Sequence, residues 1–121
     1  MATLAEVLKR VGGVAYFNGI DVTSPNTRGL FNNYPLHVAA VWGDCDAIAV
    51  LVQAGARLDE PGEHEFTPLM EATAQGHFDA CKLLVALGAK PVRNDDGQLP
   101  SEYAAIGGEE ELASWLASHG F

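Results

Sequence analysis

A chain of 121 residues, 48% apolar and 19% charged, has the size and composition of one folded domain that needs no disulfide or metal to hold its core. Sixteen acidic against seven basic residues give a net charge of −9, which sets the surface against nucleic acid and anionic membranes. No run of about 18 apolar residues is available for a membrane span and no secretory leader pattern opens the chain, so a soluble, cytoplasmic protein is expected; alone it is expected to be monomeric.

The opening "MATLAEVLKRVGG" sets Glu6, Lys9 and Arg10 among apolar residues and predicts an amphipathic helix over residues 1–12. Residues 13–31 form a loop rich in the turn-formers Asn18-Gly19, Ser24-Pro25 and Arg28-Gly29. Its Tyr16, Phe17, Ile20 and Phe31 either pack on the segment after residue 31 or stand ready for a partner.

At residue 34 a pattern begins that returns. "YPLHVAAVWGD" (34–44), "TPLMEATAQGH" (67–77) and "LPSEYAAIGGE" (99–109) share Pro at the second position, Ala at the sixth and Gly at the tenth. Gly43, Gly76 and Gly108 are each succeeded twelve residues later by a second glycine: Gly55, Gly88 and Gly120. Pro35, Pro68 and Pro100 suit the first turn of a short helix, because proline lacks only an N–H that has no helical partner there. The first glycine of each pair ends that helix in a left-handed turn. Acidic residues (Asp44 and Asp46, Asp79, Glu109 to Glu111) then open a longer helix at the favourable end of its dipole. Ile48, Leu51 and Val52, then Leu83, Leu84 and Leu87, then Leu112, Trp115 and Leu116 recur at helical spacing on that second helix. Small residues (Ala39, Ala40, Ala72, Ala74, Ala104, Ala105) let the two helices of a unit touch. A period near 33 residues means stacked units, each covering its neighbour's apolar face.

These motifs resemble the ankyrin repeat. Its pattern of Thr-Pro-Leu-His, a turn Gly-His and a closing Gly-Ala is met by Thr67-Pro68-Leu69, Pro35-Leu36-His37, Gly76-His77, Gly55-Ala56 and Gly88-Ala89. The resemblance covers about residues 32–121 and implies an all-α helix-turn-helix solenoid. Its parts are a capping helix (1–12), a long inserted loop (13–31), repeats at 32–64 and 65–97, and a C-terminal capping repeat (98–121). Ser101 and Glu102 replace apolar residues in that last unit, as an open end requires. The resemblance gives structural roles to Pro35, His37, Gly43, Thr67, Pro68, Gly76 and His77. His37 is expected to bond neighbouring backbone and fix the loop between repeats. Met70 stands in its place in the second copy, so that copy's loop is expected to be held less firmly.

Catalytic and cofactor patterns do not emerge. His77 and Cys81 lie four residues apart without a third group, and Cys45 and Cys81 read as reduced thiols on helix core faces. There is no GxGxxG, GxxxxGK[ST] or HExxH, and His37, His64, His77 and His119 lack metal-ligand spacing. The resemblance implies a hairpin tip for Asp95-Asp96 in "RNDDGQ", and the acids do not alternate as a calcium loop requires. No enzyme activity, cofactor or metal is expected.

The expected function is binding of a protein through the loops and short helices that line the concave side in the resembled family. The positions assigned to that surface are Val38, Val41 and Trp42, then Glu63, His64, Glu65 and Phe66 at the first tip, then Glu71 and Gln75, then Tyr103 and Ile106. Trp42 either anchors a partner or packs against the inserted loop. Aromatic residues beside acidic ones suit a basic partner, while net acidity alone also serves solubility. A regulator or adaptor is the leading reading. The alternative is an inhibitor or immunity-type protein that masks a basic toxic enzyme such as a nuclease.

Overall fold

The prolines and glycines of the repeat do what their chemistry dictates. In the computed structural model, which describes all residues 1–121, seven helices and no strands are formed. They are α1 (Leu4–Gly12), α2 (Pro35–Trp42), α3 (Cys45–Gln53), α4 (Pro68–Ala74), α5 (Phe78–Ala86), α6 (Pro100–Ile106) and α7 (Glu110–Ser118). Proline is the first residue of α2, α4 and α6. Past their C-terminal ends, Gly43, Gly76 and Gly108 take φ of 67°, 70° and 81°, a region costly to any residue with a Cβ. The amide after each glycine returns to the carbonyl of Ala39, Ala72 or Ala104, at 3.1, 3.0 and 2.9 Å. The recurrent alanine and the recurrent glycine are therefore two ends of one hydrogen-bonded turn, and those alanines are at most 1% exposed.

The helices stack in two rows. Short helices pack α2 on α4 and α4 on α6, and longer ones pack α1 on α3 and α3 on α5. Phe78 of α5 meets Trp115 of α7 edge to face, 5.9 Å between ring centres. Between the rows Leu36, Ile48, Leu51, Leu69, Leu84, Leu112 and Leu116 are at most 2% exposed and form one continuous core. The all-α repeat solenoid read from the sequence is the fold of the chain.

The amphipathic opening takes the place of a preceding unit's longer helix. Val7, Leu8 and Val11 are buried against the stack. Thr3 and Glu6 close a reciprocal cap at its start, with the Glu6 amide donating to Thr3 Oγ1 and the Thr3 amide to Glu6 Oε1. Arg10 pairs with Asp44 at 3.0 Å, and the Ala2 amide donates to Asp46 at 2.9 Å, tying α1 to the start of α3. Among the acidic residues expected to open the longer helices, Asp44 caps with its side chain, accepting from the Ala47 amide. Glu109 does not cap; its carboxylate lies over Gly76 instead.

The segment read as one inserted loop, 13–31, divides into two parts. From Asn26 onward it repeats an ordinary connection. Asn26 Oδ1 accepts from the Arg57 amide as Asp59 Oδ1 accepts from the Lys90 amide, each bond linking one connection to the next. Gly29 donates to Asn33 across a tight tip, as Gly62 does to Phe66 and Asn94 to Gln98. Phe31 and Asn32 therefore stand where His64 and Glu65 stand one unit later, and all four have φ near +60°. The extra chain is the stretch before this, centred on a single helical turn at Ala15–Phe17. Phe17, 1% exposed, plugs it into the core beside Gly29, where a Cβ would lie 2.8 Å from the Phe17 ring.

Met70 does not leave its loop loose, as its difference from His37 had suggested. Met70 is buried, and the tip at 94–98 is held from within. Asn94 Oδ1 accepts from the amides of Asp96 and Gln98, Asn94 Nδ2 donates to Gln98 Oε1, and Arg93 donates to the Gly97 carbonyl. A side chain inside the tip replaces a histidine outside it.

Candidate functional site

Two neighbouring hollows lie among the short helices and inter-repeat tips. The first has a volume of about 180 Å³ and is walled by Val14, Val38, Val41 and Trp42, with Tyr16, Asn33, His37 and Glu71 at its edges. It exists because the extra turn at 15–17 brings Val14 and Tyr16 beside α2, while α4 presents Glu71 from the next unit. The second is lined by His64, Phe66, Asp95, Asp96 and Tyr103. There the Phe66 and Tyr103 rings meet edge to face at 5.3 Å, and His64 Nδ1 lies 3.3 Å from Asp95 Oδ2.

The electrostatics of the first hollow centre on Glu71. Its half-buried carboxylate makes neither an ion pair nor a hydrogen bond within the chain, and its oxygens remain open to solvent. Burial, and secondarily the charge of Glu63, push it up to about 7, against a smaller opposing pull from His64. Glu63 accepts from the Tyr16 hydroxyl at 3.4 Å, and burial together with Glu63 raises the Tyr16 phenol above its ordinary value.

A carboxyl whose folded value lies above its unfolded 4.5 carries a cost when charged, present above about pH 7 and relieved as pH falls toward 4.5. Allowing for solvent screening at a partly exposed site, Glu71→Gln is expected to stabilise the fold by about 1 kcal/mol above neutrality. The gain should vanish where wild-type Glu71 is protonated in both states. Denaturant midpoints at the two pH extremes check this, and a uniform loss of stability in the variant would contradict it.

The residues assigned to a binding surface are thus distributed unevenly. Trp42, Val41 and Glu71 line the first hollow, as does Val38, but Val38 was expected to be exposed and is 5% exposed. Helix α2 is apolar on nearly every side, so its inward face could not be told from its outward one by pattern. Trp42 is half-buried, with the Arg10 guanidinium 4.7 Å over its ring, so it packs against the N-terminal helix while lining the hollow. His64, Phe66 and Tyr103 line the second hollow, and Glu63 sits beside Tyr16. Glu65, Gln75 and Ile106 are exposed and line neither, Ile106 at 73%. Val14 and Asn33 were missed, and Asp95 and Asp96 were read only as turn-formers.

The positions given structural roles sit at the joints between units. His37 Nδ1 accepts from the Tyr34 amide, which leaves its Nε2–H to donate to the Phe66 carbonyl at 3.0 Å, across one repeat. His77 Nε2 bonds the Val41 carbonyl at 2.9 Å, and its ring covers Gly43. Thr67 Oγ1 accepts from the Met70 amide at the start of α4. Cys81 is buried beside Thr73, and burial pushes its thiol up to about 11. No three His, Cys, Asp or Glu side chains converge as metal ligands, and no helix is long and apolar enough to cross a membrane.

Among known proteins, a family model described as ankyrin repeats (3 copies) matches residues 5–95 and 36–121. Protein phosphatase 1 regulatory subunit 27 of Homo sapiens is 38% identical over 96 residues, covering 78% of this chain and 60% of that protein. The Mus musculus protein of the same name is 38% identical over 68 residues, 55% of this chain and 44% of its own length. Palmitoyltransferase Hip14 of Drosophila melanogaster is 39% identical over 82 residues, 66% of this chain but 12% of that protein. The chain thus spans less than two thirds of each of these relatives.

Proposed function

The chain belongs to the ankyrin repeat family, whose repeats bind protein partners, and from that premise we propose that it is a non-catalytic regulator that binds a basic protein. It does so through the face built by α2, α4, α6 and the tips at 29–33, 62–66 and 94–98. The observation that carries this reading is the pair of hollows with unneutralised acid at their edges. Glu71 meets no cation of its own chain, and Asp95 and Asp96 meet none beyond the His64 ring beside Asp95. Such a face gains most from a positively charged surface, which restores the charge of Glu71 and speeds encounter at low salt.

The regulatory role is supported by two relatives named as regulatory subunits of a phosphatase. The partner of this chain is accordingly an enzyme or scaffold protein with a basic docking surface.

Affinity capture from the native host tests the reading. Wild type, a variant with Glu63, Glu65 and Glu71 each changed to Gln, and a control with Glu110 and Glu111 of α7 changed to Gln are compared at matched helicity. The expected result is a basic protein captured by wild type and by the control, with capture falling as salt rises, and lost by the triple variant. Equal capture by all three would move the binding site off this face.

A further inference from the structure

The first hollow combines features that no single structural role explains. Its walls are apolar, its volume is about 180 Å³, and the one group lining it able to carry charge at neutral pH is a carboxylate without a partner in the chain. His37 at the same edge is held neutral, because burial keeps its ring well below the ordinary histidine range and both its nitrogens are already bonded. The cation beside the Trp42 wall is already engaged, since Arg10 pairs with Asp44 while lying over the Trp42 ring. Asn33, also at the edge, is 2% exposed, and its amide nitrogen is turned back to the Leu30 carbonyl.

We propose that this cavity receives one cationic side chain, Arg or Lys, projected from the protein partner. The aliphatic stem lies against Val14, Val41 and Trp42, and the charge meets Glu71 with Glu63 behind it. Amphipathic side chains bury a methylene stem while their head group seeks charge, and a cavity with apolar walls and one acidic edge matches both halves of that chemistry. An apolar side chain would fill the walls but strand Glu71 in a desolvated site. A carboxylate or phosphate would add a like charge beside Glu71 and Glu63. The extra turn at Ala15–Phe17 thereby acquires a purpose, since without Val14 and Tyr16 one wall of the cavity is absent.

This inference rests on the interaction reading, and the test separates the two. The probes are three blocked pentapeptides, Gly-Ala-X-Ala-Gly, with X arginine, norleucine or citrulline. The readout is NMR of the Val14, Val38 and Val41 methyl groups and the Trp42 indole N–H. The arginine peptide is expected to shift these signals saturably, with norleucine and citrulline at least about tenfold weaker. Glu71→Gln is expected to cost the arginine peptide about tenfold as well. Val41→Phe, which fills the cavity from its half-exposed wall, should abolish the shifts that remain readable at Val14, Val38 and the Trp42 indole; Glu71→Gln, which removes a destabilising charge, keeps the test valid should that variant fold poorly. Equal shifts from norleucine, shifts confined to other parts of the molecule, or no shifts at all would overturn the proposal. If Glu71→Gln and Val41→Phe leave capture of the native partner intact while the triple glutamate variant abolishes it, the face stands and the cavity's role fails.

Discussion

Replacing His37 by Ala is expected to destabilise the protein by about 3 kcal/mol or more, and to flatten its response to acid. The ring is 2% exposed and closes two backbone gaps, accepting from the Tyr34 amide and donating to the Phe66 carbonyl, both at 3.0 Å. Removing it leaves two part-buried backbone groups without their partner, each costing about 1–3 kcal/mol, and leaves a cavity besides. The pH dependence comes from the same burial, which lowers the ring from 6.5 to about 4 despite nearby carbonyls that favour its proton. The unfolded chain therefore binds a proton that the folded chain refuses. The contribution of His37 is complete above about pH 6.5, declines as pH falls, and is lost by about pH 4. The interval corresponds to about 3 kcal/mol.

Glu71 masks this decline, because its raised value stabilises the fold in relative terms over much of the same window. The clean measurement is thus made in a Glu71→Gln background, by denaturant unfolding across that range. An acid slope that persists in Glu71→Gln/His37→Ala would remove His37 as its source.

Gly43→Ala and Gly108→Ala form the second expected contrast. Both glycines come after a short helix with a left-handed backbone, φ 67° and 81°, so Ala costs about 1 kcal/mol at either from conformation alone. At Gly108 the added carbon meets nothing within 4 Å, whereas at Gly43 it would lie 2.5 Å from His77 Cγ. The His77 ring is anchored by its bond to the Val41 carbonyl at 2.9 Å, so it yields only by breaking the joint between two repeats. Gly43→Ala is therefore expected to lose about 3 kcal/mol, and Gly108→Ala about 1. Thermal or denaturant midpoints decide it; equal losses would mean that the ring moves aside freely.

The pair also shows what was legible in the sequence. Proline at the start of a helix and glycine at its end act through their own backbones, so their spacing announced the helix-turn-helix units. That His77 covers Gly43 while Glu109 covers Gly76 depends on which side chain the neighbouring unit presents, and spacing is silent on that. In the run before Pro35 the spacing showed that roughly ten residues are extra to an ordinary connection, but not which ones. The ordinary part lacks the Gly-Ala that marks the other connections at Gly55-Ala56 and Gly88-Ala89, so Asn26 and the tip at Gly29 could not be aligned with Asp59 and Gly62. Trp42 was legible as a residue beyond the needs of the stack, but its cover by Arg10 was not. The first hollow was least visible of all, because its lining comes from residues as far apart as Val14 and Glu71. Only the folded chain brings Tyr16 to Glu63.

Amide hydrogen exchange on the complex with the captured partner tests the central claim most directly. The account predicts slowed exchange at α2 and α4 and at the three tips, 29–33, 62–66 and 94–98, with α5 and α7 unchanged. Protection concentrated on α5 and α7, with the tips exchanging as in the free protein, would contradict it.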